Sequence, residues 1–243
     1  MRRRLLPFHD KRDRKIELIV LHAVAFNVDE VIEIFKQHQV CSHYLIADDG
    51  EVWQLVGEKH AARHAGKSKW RNFDNLNSAS IGIELCSSSL GQFDYTEKQK
   101  EALYNLLKRL IKKYKIKKEN IVGHSDIAPT RKADPGKAFF WEWLSRKDIG
   151  LWFSLENKED EPDKDIKDML GEIGYDTTDV VAAACAFCRR FLPEKIRCVE
   201  DIVYLVNNPI VIDEEILKDG VFRQTLDAVA YAYRNASKTP CNM

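Results

Sequence analysis

IELIVLH, residues 16–22, is an apolar run that closes on a histidine, and the rest of the fold can be laid out around it. Ile16, Leu18, Val20 and His22 fall on one side of an extended chain, with Glu17, Ile19 and Leu21 on the other. That is the period of a strand buried over most of its surface. A strand of this kind belongs in the middle of a sheet, and the polar side chain at its end should face a cleft. Functional side chains collect at such positions, where loops leave a rigid scaffold.

A second dense stretch, GHSDIAPTRKADPG at 123–136, supplies chemistry that matches His22. A short strand at Ile121 and Val122 delivers His124, and Pro135 biases Asp134 toward extended backbone. Two imidazoles and one carboxylate form a three-ligand set with a fourth position open, the arrangement of a catalytic rather than a structural zinc. In extended chain Lys132 points the same way as Asp134.

Working outward, Asn27 with Glu30 three positions on makes a capping-box start for a helix whose apolar stripe is Val28, Val31, Ile32 and Phe35 and which ends near Gln37. SHYLIADDGEVWQLV is two strand-like runs joined through Asp48, Asp49 and Gly50, a hairpin signal. Residues 57–78, polar and rich in turn formers, are expected to form a long loop over the sheet edge. SIGIELC follows as a strand with Ile81, Ile83 and Leu85 on one face and Gly82, Glu84 and Cys86 on the other. Glu84 therefore has room around it. Thr96 and Gln99 form a second capping box, opening a helix that carries Leu103, Leu106, Leu107 and Leu110 at helical spacing. AFFWEWL is a short closing helix.

These elements predict an α/β fold with a mixed central β-sheet flanked by helices, spanning 1–153, then a linker at 154–165 and a small all-helical domain at 166–243. The linker assignment rests on Glu156–Asp165, where six acids, two lysines and a proline cannot bury enough surface to order themselves. Beyond it, Val180–Phe191 and the stripe Phe222, Leu226, Val229, Ala230, Tyr233 are helical in period.

Bulk properties narrow the function. Lys plus Arg and Asp plus Glu balance at 38 each, so net charge gives no reason to expect nucleic acid or an anionic surface as partner. No run approaches the roughly 18–20 apolar residues of a membrane span. MRRRLLPFHDKRDRK has a basic opening but lacks the apolar stretch of a signal peptide. The expectation is a cytoplasmic protein if this is a whole gene product, and a periplasmic or envelope one if it is a trimmed form. Arg2–Arg4 is expected to be a solvated tail. Six cysteines in a chain of this length do not make a disulfide scaffold, and Cys185 with Cys188, on an apparent helix and without a second pair, is expected to be buried helix face. Nothing in the sequence indicates an oligomeric state.

Zinc at His22, His124 and Asp134 would point to metal-assisted amide hydrolysis, with Glu84 as the base that moves the proton and Lys132 as a cation for the oxyanion. Each residue alone is weak evidence, but the order of motifs is specific. IVLHAV, SHYLIADDGEVWQLV, RHAGKSKW, LNSASIGIEL and IVGHSDIAPTRKADPG resemble, in sequence order and over about residues 7–150, the zinc-dependent N-acetylmuramoyl-L-alanine amidases of the AmpD and AmiD type, a fold shared with peptidoglycan recognition proteins. The resemblance implies Zn²⁺ held by His22, His124 and Asp134, Glu84 as general base and Lys132 as stabiliser of the transition state. It also implies cleavage of the amide between N-acetylmuramic acid, or its anhydro form, and L-alanine of the stem peptide, with peptidoglycan or muropeptide as the partner.

Positions in the loop suggest substrate contacts. His64 would donate to carbonyl or sugar oxygens, Trp70 would offer a face to a sugar ring, and Arg71 or Arg63 would pair with a stem-peptide carboxylate. His43 lies near the cleft in the motif and is either a substrate contact or a hydrogen-bonded strand residue, while Asn77 more naturally fixes the loop. The residues around GYD and AFCRRFLP resemble a small peptidoglycan-binding-like helical domain, whose role would be docking of glycan or stem peptide, or bracing of the catalytic domain. Two rival functions are a catalytically silent peptidoglycan-binding receptor on the same fold, which would keep the groove and lose a ligand or the base, and a zinc amidohydrolase acting on another amide, which would share the ligands but not the KADPG and GIEL contexts.

Overall fold

The computed structural model describes residues 1–157 and 164–236. Among these, eight strands occur in the order β1 (Arg2–Arg3), β2 (His9–Lys11), β3 (Leu18–Val24), β4 (Tyr44–Ile46), β5 (Val52–Gln54), β6 (His60–Ala62), β7 (Ser80–Cys86) and β8 (Ile121–Gly123). Six of them form one mixed sheet, β1-β5-β4-β7-β3-β8, in which β4 and β5 are the antiparallel hairpin and the other pairs are parallel. The run 16–22 is thus central, as its period requires. Leu18 and Val20 enter one core layer, and Ile19, Leu21 and Ala23 enter the other.

Both capping boxes form. Asn27 and Glu30 open α1 (Val28–His38), and Thr96 and Gln99 open α3 (Glu97–Tyr114). Leu103, Leu106, Leu107 and Leu110 of α3 pack with Ile81, Ile83 and Leu85 of β7, each buried leucine contributing about 1.5–3 kcal/mol. Gly50 has φ +83° in the β4–β5 turn, a conformation that suits glycine. Residues 57–78 are more ordered than expected: they contain β6, paired antiparallel with β2, and lead into α2 (Leu76–Ala79). The N-terminal arginines are likewise not a loose tail, because Arg2 and Arg3 pair with Trp53 and Gln54 as the edge strand. Arg2 also lies over the Trp53 ring and pairs with Glu51.

The remaining helices are α4 (His124–Ile127), α5 (Trp141–Arg146), α6 (Ile166–Ile173), α7 (Val180–Phe191), α8 (Ile202–Asn207) and α9 (Gly220–Ala236). Those after residue 165 are not set apart from the sheet. Met169, Phe187, Phe222 and Tyr233 share one continuous core with Leu18, Val20, Val122 and Ile127. A buried ion pair pins that core: Arg190 Nη1 of α7 lies 2.9 Å from Asp126 Oδ2 of α4, and Tyr175 donates its hydroxyl to Asp126 Oδ1 at 3.1 Å. The central part of the expected linker, 158–163, lies outside the described residues. Cys185 and Cys188 are buried free thiols within α7. No helix among the described residues is long and apolar enough to cross a membrane.

Candidate metal centre

Strand register brings the chemistry to one end of the sheet. Parallel pairing puts His22 level with Glu84, and the match of Leu21 with Gly123 carries His124, the next residue, to the same end. Asp134 returns to this point because its carbonyl accepts from the Ser125 amide at 2.8 Å. His22 Nδ1 and His124 Nδ1 are 2.9 Å apart, His124 Nδ1 and Asp134 Oδ2 3.0 Å, and His22 Nδ1 and Asp134 Oδ2 3.5 Å. Donors about 2.0–2.2 Å from a tetrahedral zinc are about 3.3–3.6 Å from one another, so this cluster fits such an ion with small adjustments.

Hydrogen bonding fixes which ring nitrogens face the cluster. Ser80 Oγ donates to the Leu76 carbonyl, so it must accept from His64 Nε2–H at 3.1 Å. That leaves His64 Nδ1 bare to accept from His22 Nε2–H at 2.9 Å, which in turn leaves His22 Nδ1 bare. On the other side the Ala65 carbonyl, 3.3 Å from His124 Nε2, takes that ring's proton and leaves His124 Nδ1 bare as well. Two lone pairs and a carboxylate oxygen therefore converge, an arrangement that calls for a cation. Burial, together with the neighbouring His124, lowers the His22 pKa to about 4 and keeps the ring neutral. Burial would raise the Asp134 pKa, but His124 and His22 outweigh it and hold the carboxyl well below its usual range.

Glu84 stands beside this cluster with Oε2 buried and without a hydrogen-bond partner. Burial first, and then the charge of Asp134, push its pKa well up, while Lys132 opposes. A carboxyl raised in this way holds a proton more readily than a solvated one. Gly82, two residues earlier on the same face, is required for another reason: a Cβ there would lie 2.5 Å from the His64 ring. The thiols nearby are not nucleophile candidates, because burial drives Cys86 up to about 12 and raises Cys41 further.

The cluster opens into a cleft of about 690 Å³, lined among others by His64, Glu84, His124, Lys132, Asp134 and residues of α8. The family model of N-acetylmuramoyl-L-alanine amidase (Amidase_2) matches residues 12–137, which hold His22, Glu84, His124, Lys132 and Asp134. The chain belongs to this family. N-acetylmuramoyl-L-alanine amidase AmiD of Escherichia coli (strain K12) is 40% identical over 152 residues, 57% of this chain and 55% of AmiD, so the matched segment spans about half of that relative. In three dimensions, AmiD from E. coli in complex with the substrate anhydro-N-acetylmuramic acid-L-Ala-D-gamma-Glu-L-Lys is similar over 91% of this chain and 90% of that one, with TM-score 0.71 and 29% identity. AmpDh3 from Pseudomonas aeruginosa in complex with anhydromuramic pentapeptide is similar over 88% and 91%, with TM-score 0.70 and 27% identity.

Around this family core, three of the loop and strand residues expected to touch substrate lie elsewhere. Trp70 is fully buried against Tyr175 and Tyr233, its indole donating to the Glu119 carbonyl, because the C-terminal helices cover that part of the loop. Arg71 is turned to the opposite end of the sheet, where it donates to the Ile173 carbonyl and lies over Tyr233. His43 is a brace between strands: its Nδ1 accepts from the Gly82 amide, its Nε2 lies 3.0 Å from the His60 carbonyl, and the ring is fully buried. His64 does border the cleft, but both its nitrogens are engaged within the protein. Asn77 accepts from the His64 and Ala65 amides and so fixes the loop that carries them. Sequence reasoning missed Ser80 and the Ala65 carbonyl, which set the ring tautomers. Their only sequence signal is that Ala65 lies within RHAG and Ser80 opens SIGIEL.

Proposed function

We propose that this protein is a zinc-dependent amidase that cleaves the bond between the lactyl group of N-acetylmuramic acid, free or in anhydro form, and L-alanine of the stem peptide. The observation that carries the reading is the unpartnered, buried carboxylate oxygen of Glu84 beside three converging metal donors in an open cleft. The likeness to AmiD, whose complex holds a muramoyl peptide, supports the substrate class. His22, His124 and Asp134 would hold the ion, which when bound supplies Lewis-acid activation of water and of the scissile carbonyl. Glu84 takes the proton of the attacking water and delivers it to the leaving L-alanine nitrogen. Its raised pKa suits the second half of that transfer. Lys132, close enough to influence both Glu84 and His22, neutralises charge growing on the carbonyl oxygen.

The test is zinc-loaded protein with a muramoyl-L-alanyl peptide, the products weighed by mass spectrometry. Free N-acetylmuramic acid and a peptide with an L-alanine amino terminus are expected. Glu84→Gln should bind as much zinc and lose about 10²- to 10⁴-fold in rate. Binding of the muropeptide without turnover in zinc-replete buffer would mark a receptor instead.

A further inference from the structure

Four of the large apolar side chains most exposed to solvent, Phe26, Val40, Val203 and Val206, line the same cleft as the metal cluster. Two of them come from α8, a short helix of the C-terminal segment. It is anchored by Leu205, which is buried in the core with Leu90 and Ala133, and its start is capped by Asp201, which accepts from the Tyr204 amide. With its inner side held, α8 presents Val203 and Val206 outward at 72% and 54% exposure. A merely solvated helix face carries polar side chains, and an exposed apolar patch at the rim of a cleft marks a contact surface.

We infer that α8 is a wall of the substrate cleft and that it takes the muramoyl half of the substrate. This rests on the function proposed above. The α8 residues lining the cleft, Ile202, Val203, Val206 and Asn207, carry no charge, whereas the cations Arg131 and Lys132 lie outside α8, and Arg63, also outside it, is paired with Asp10 of the same lining. Arg131 in particular is tied to the His64 loop through the Ala65 and Lys67 carbonyls. A muramoyl peptide divides the same way. Its sugar ring, acetamido methyl and lactyl methyl are uncharged and partly apolar, and its stem peptide bears carboxylates. Charge complementarity sends the peptide toward the cations and leaves the sugar for the apolar wall. The C-terminal segment thereby contributes to substrate selection through one face of one helix.

Val203→Asp and Val206→Asp test this, because both side chains are already largely in water and their replacement should leave the melting temperature and zinc content unchanged. Two ligands are compared: a muramoyl-L-Ala-D-γ-Glu-L-Lys peptide and the matching lactyl peptide that lacks the sugar ring. The expected result is a fall of about tenfold or more in kcat/KM for the first, carried by KM, and less than twofold for the second. Equal losses on both ligands, or none on either, would overturn the inference. So would sedimentation showing a wild-type dimer that the substitutions dissociate, since the patch would then be covered by a second copy. If the wild type cleaves neither ligand, the proposed function fails on its own, and calorimetric binding of the two ligands decides the wall by the same contrast. Absence of any muropeptide binding would end both.

Discussion

Replacing His64 by leucine removes the acceptor for His22 Nε2–H while keeping a side chain of similar bulk between β7 and the loop. In the folded protein that N–H lies 2.9 Å from His64 Nδ1 and His22 is almost fully buried. A donor orphaned there costs about 1–3 kcal/mol. The ring escapes most of this cost by shifting its proton to Nδ1, the nitrogen that points at His124 and Asp134, and metal binding must then displace that proton. Loss of a partner of this kind lowers metal affinity about 10- to 100-fold, or about 1.4–2.7 kcal/mol. Zinc affinity measured by competition with a chromogenic chelator should show this loss for His64→Leu. His64→Asn, whose side-chain oxygen can still accept, should recover most of it. Nitrogen chemical shifts of the metal-free protein should report His22 protonated at Nε2 in the wild type. Equal zinc affinity in wild type and His64→Leu, at equal thermal stability, would refute the proton chain from His22 through His64 and Ser80 to the Leu76 carbonyl.

Arg190→Met leaves Asp126 charged, buried and short of its ion-pair partner, which should cost about 3–5 kcal/mol in urea unfolding, and the double variant Arg190→Met/Asp126→Asn should regain most of that. Burial would raise the Glu58 pKa, but contacts from Lys113, Tyr114, Tyr44 and Arg109 bring it down to about 2. Its contribution to stability is therefore complete above its unfolded value of about 4.3 and vanishes as pH falls toward 2. Burial lowers His43 to about 3, so the stability it contributes as a neutral ring is lost as pH falls from about 6.5 toward 3. The urea midpoint of metal-free protein should drop in both windows, and Glu58→Gln should flatten the lower one alone. A chain cut after residue 157 should bind a hydrophobic dye and lose cooperative unfolding, because Leu18, Val20, Val122 and Trp70 lose the helices that cover them. A cooperative transition in that fragment would show that the sheet domain stands alone.

What could be read from the sequence was local or periodic. The central strand, both capping boxes, the hairpin and α7 follow from spacing within a few residues, and the structure places them where that spacing does. The convergence of His22, His124 and Asp134 was also legible, because parallel strands deliver their last residues to one end of a sheet whatever lies between them. Trp70 and Arg71 were not, since their burial and direction depend on Tyr175, Gly174 and Tyr233, more than a hundred residues away. His43 belongs to the same class: a strand histidine becomes a brace only once register sets it against the Gly82 amide. The edge strand at Arg2 and Arg3 needed β5 as a partner, and a run of three arginines carries no signal for it.

The C-terminal helices link these misses. Their core covers the face of β3 that also carries His22, and through Arg190 and Tyr175 they hold Asp126, which itself accepts from the Gly123 amide at 2.8 Å. Gly123 immediately precedes His124, so the turn that presents one metal donor is fastened from the far side by α7. At the cleft rim, α8 of the same segment supplies uncharged surface to the cleft that this donor also lines. A helical appendage that only tethered substrate would need neither contact, since effective concentration depends on linker length and not on a shared core. The segment is better understood as part of the catalytic unit: one helix steadies the turn behind the metal donors, and another shapes the space in front of them.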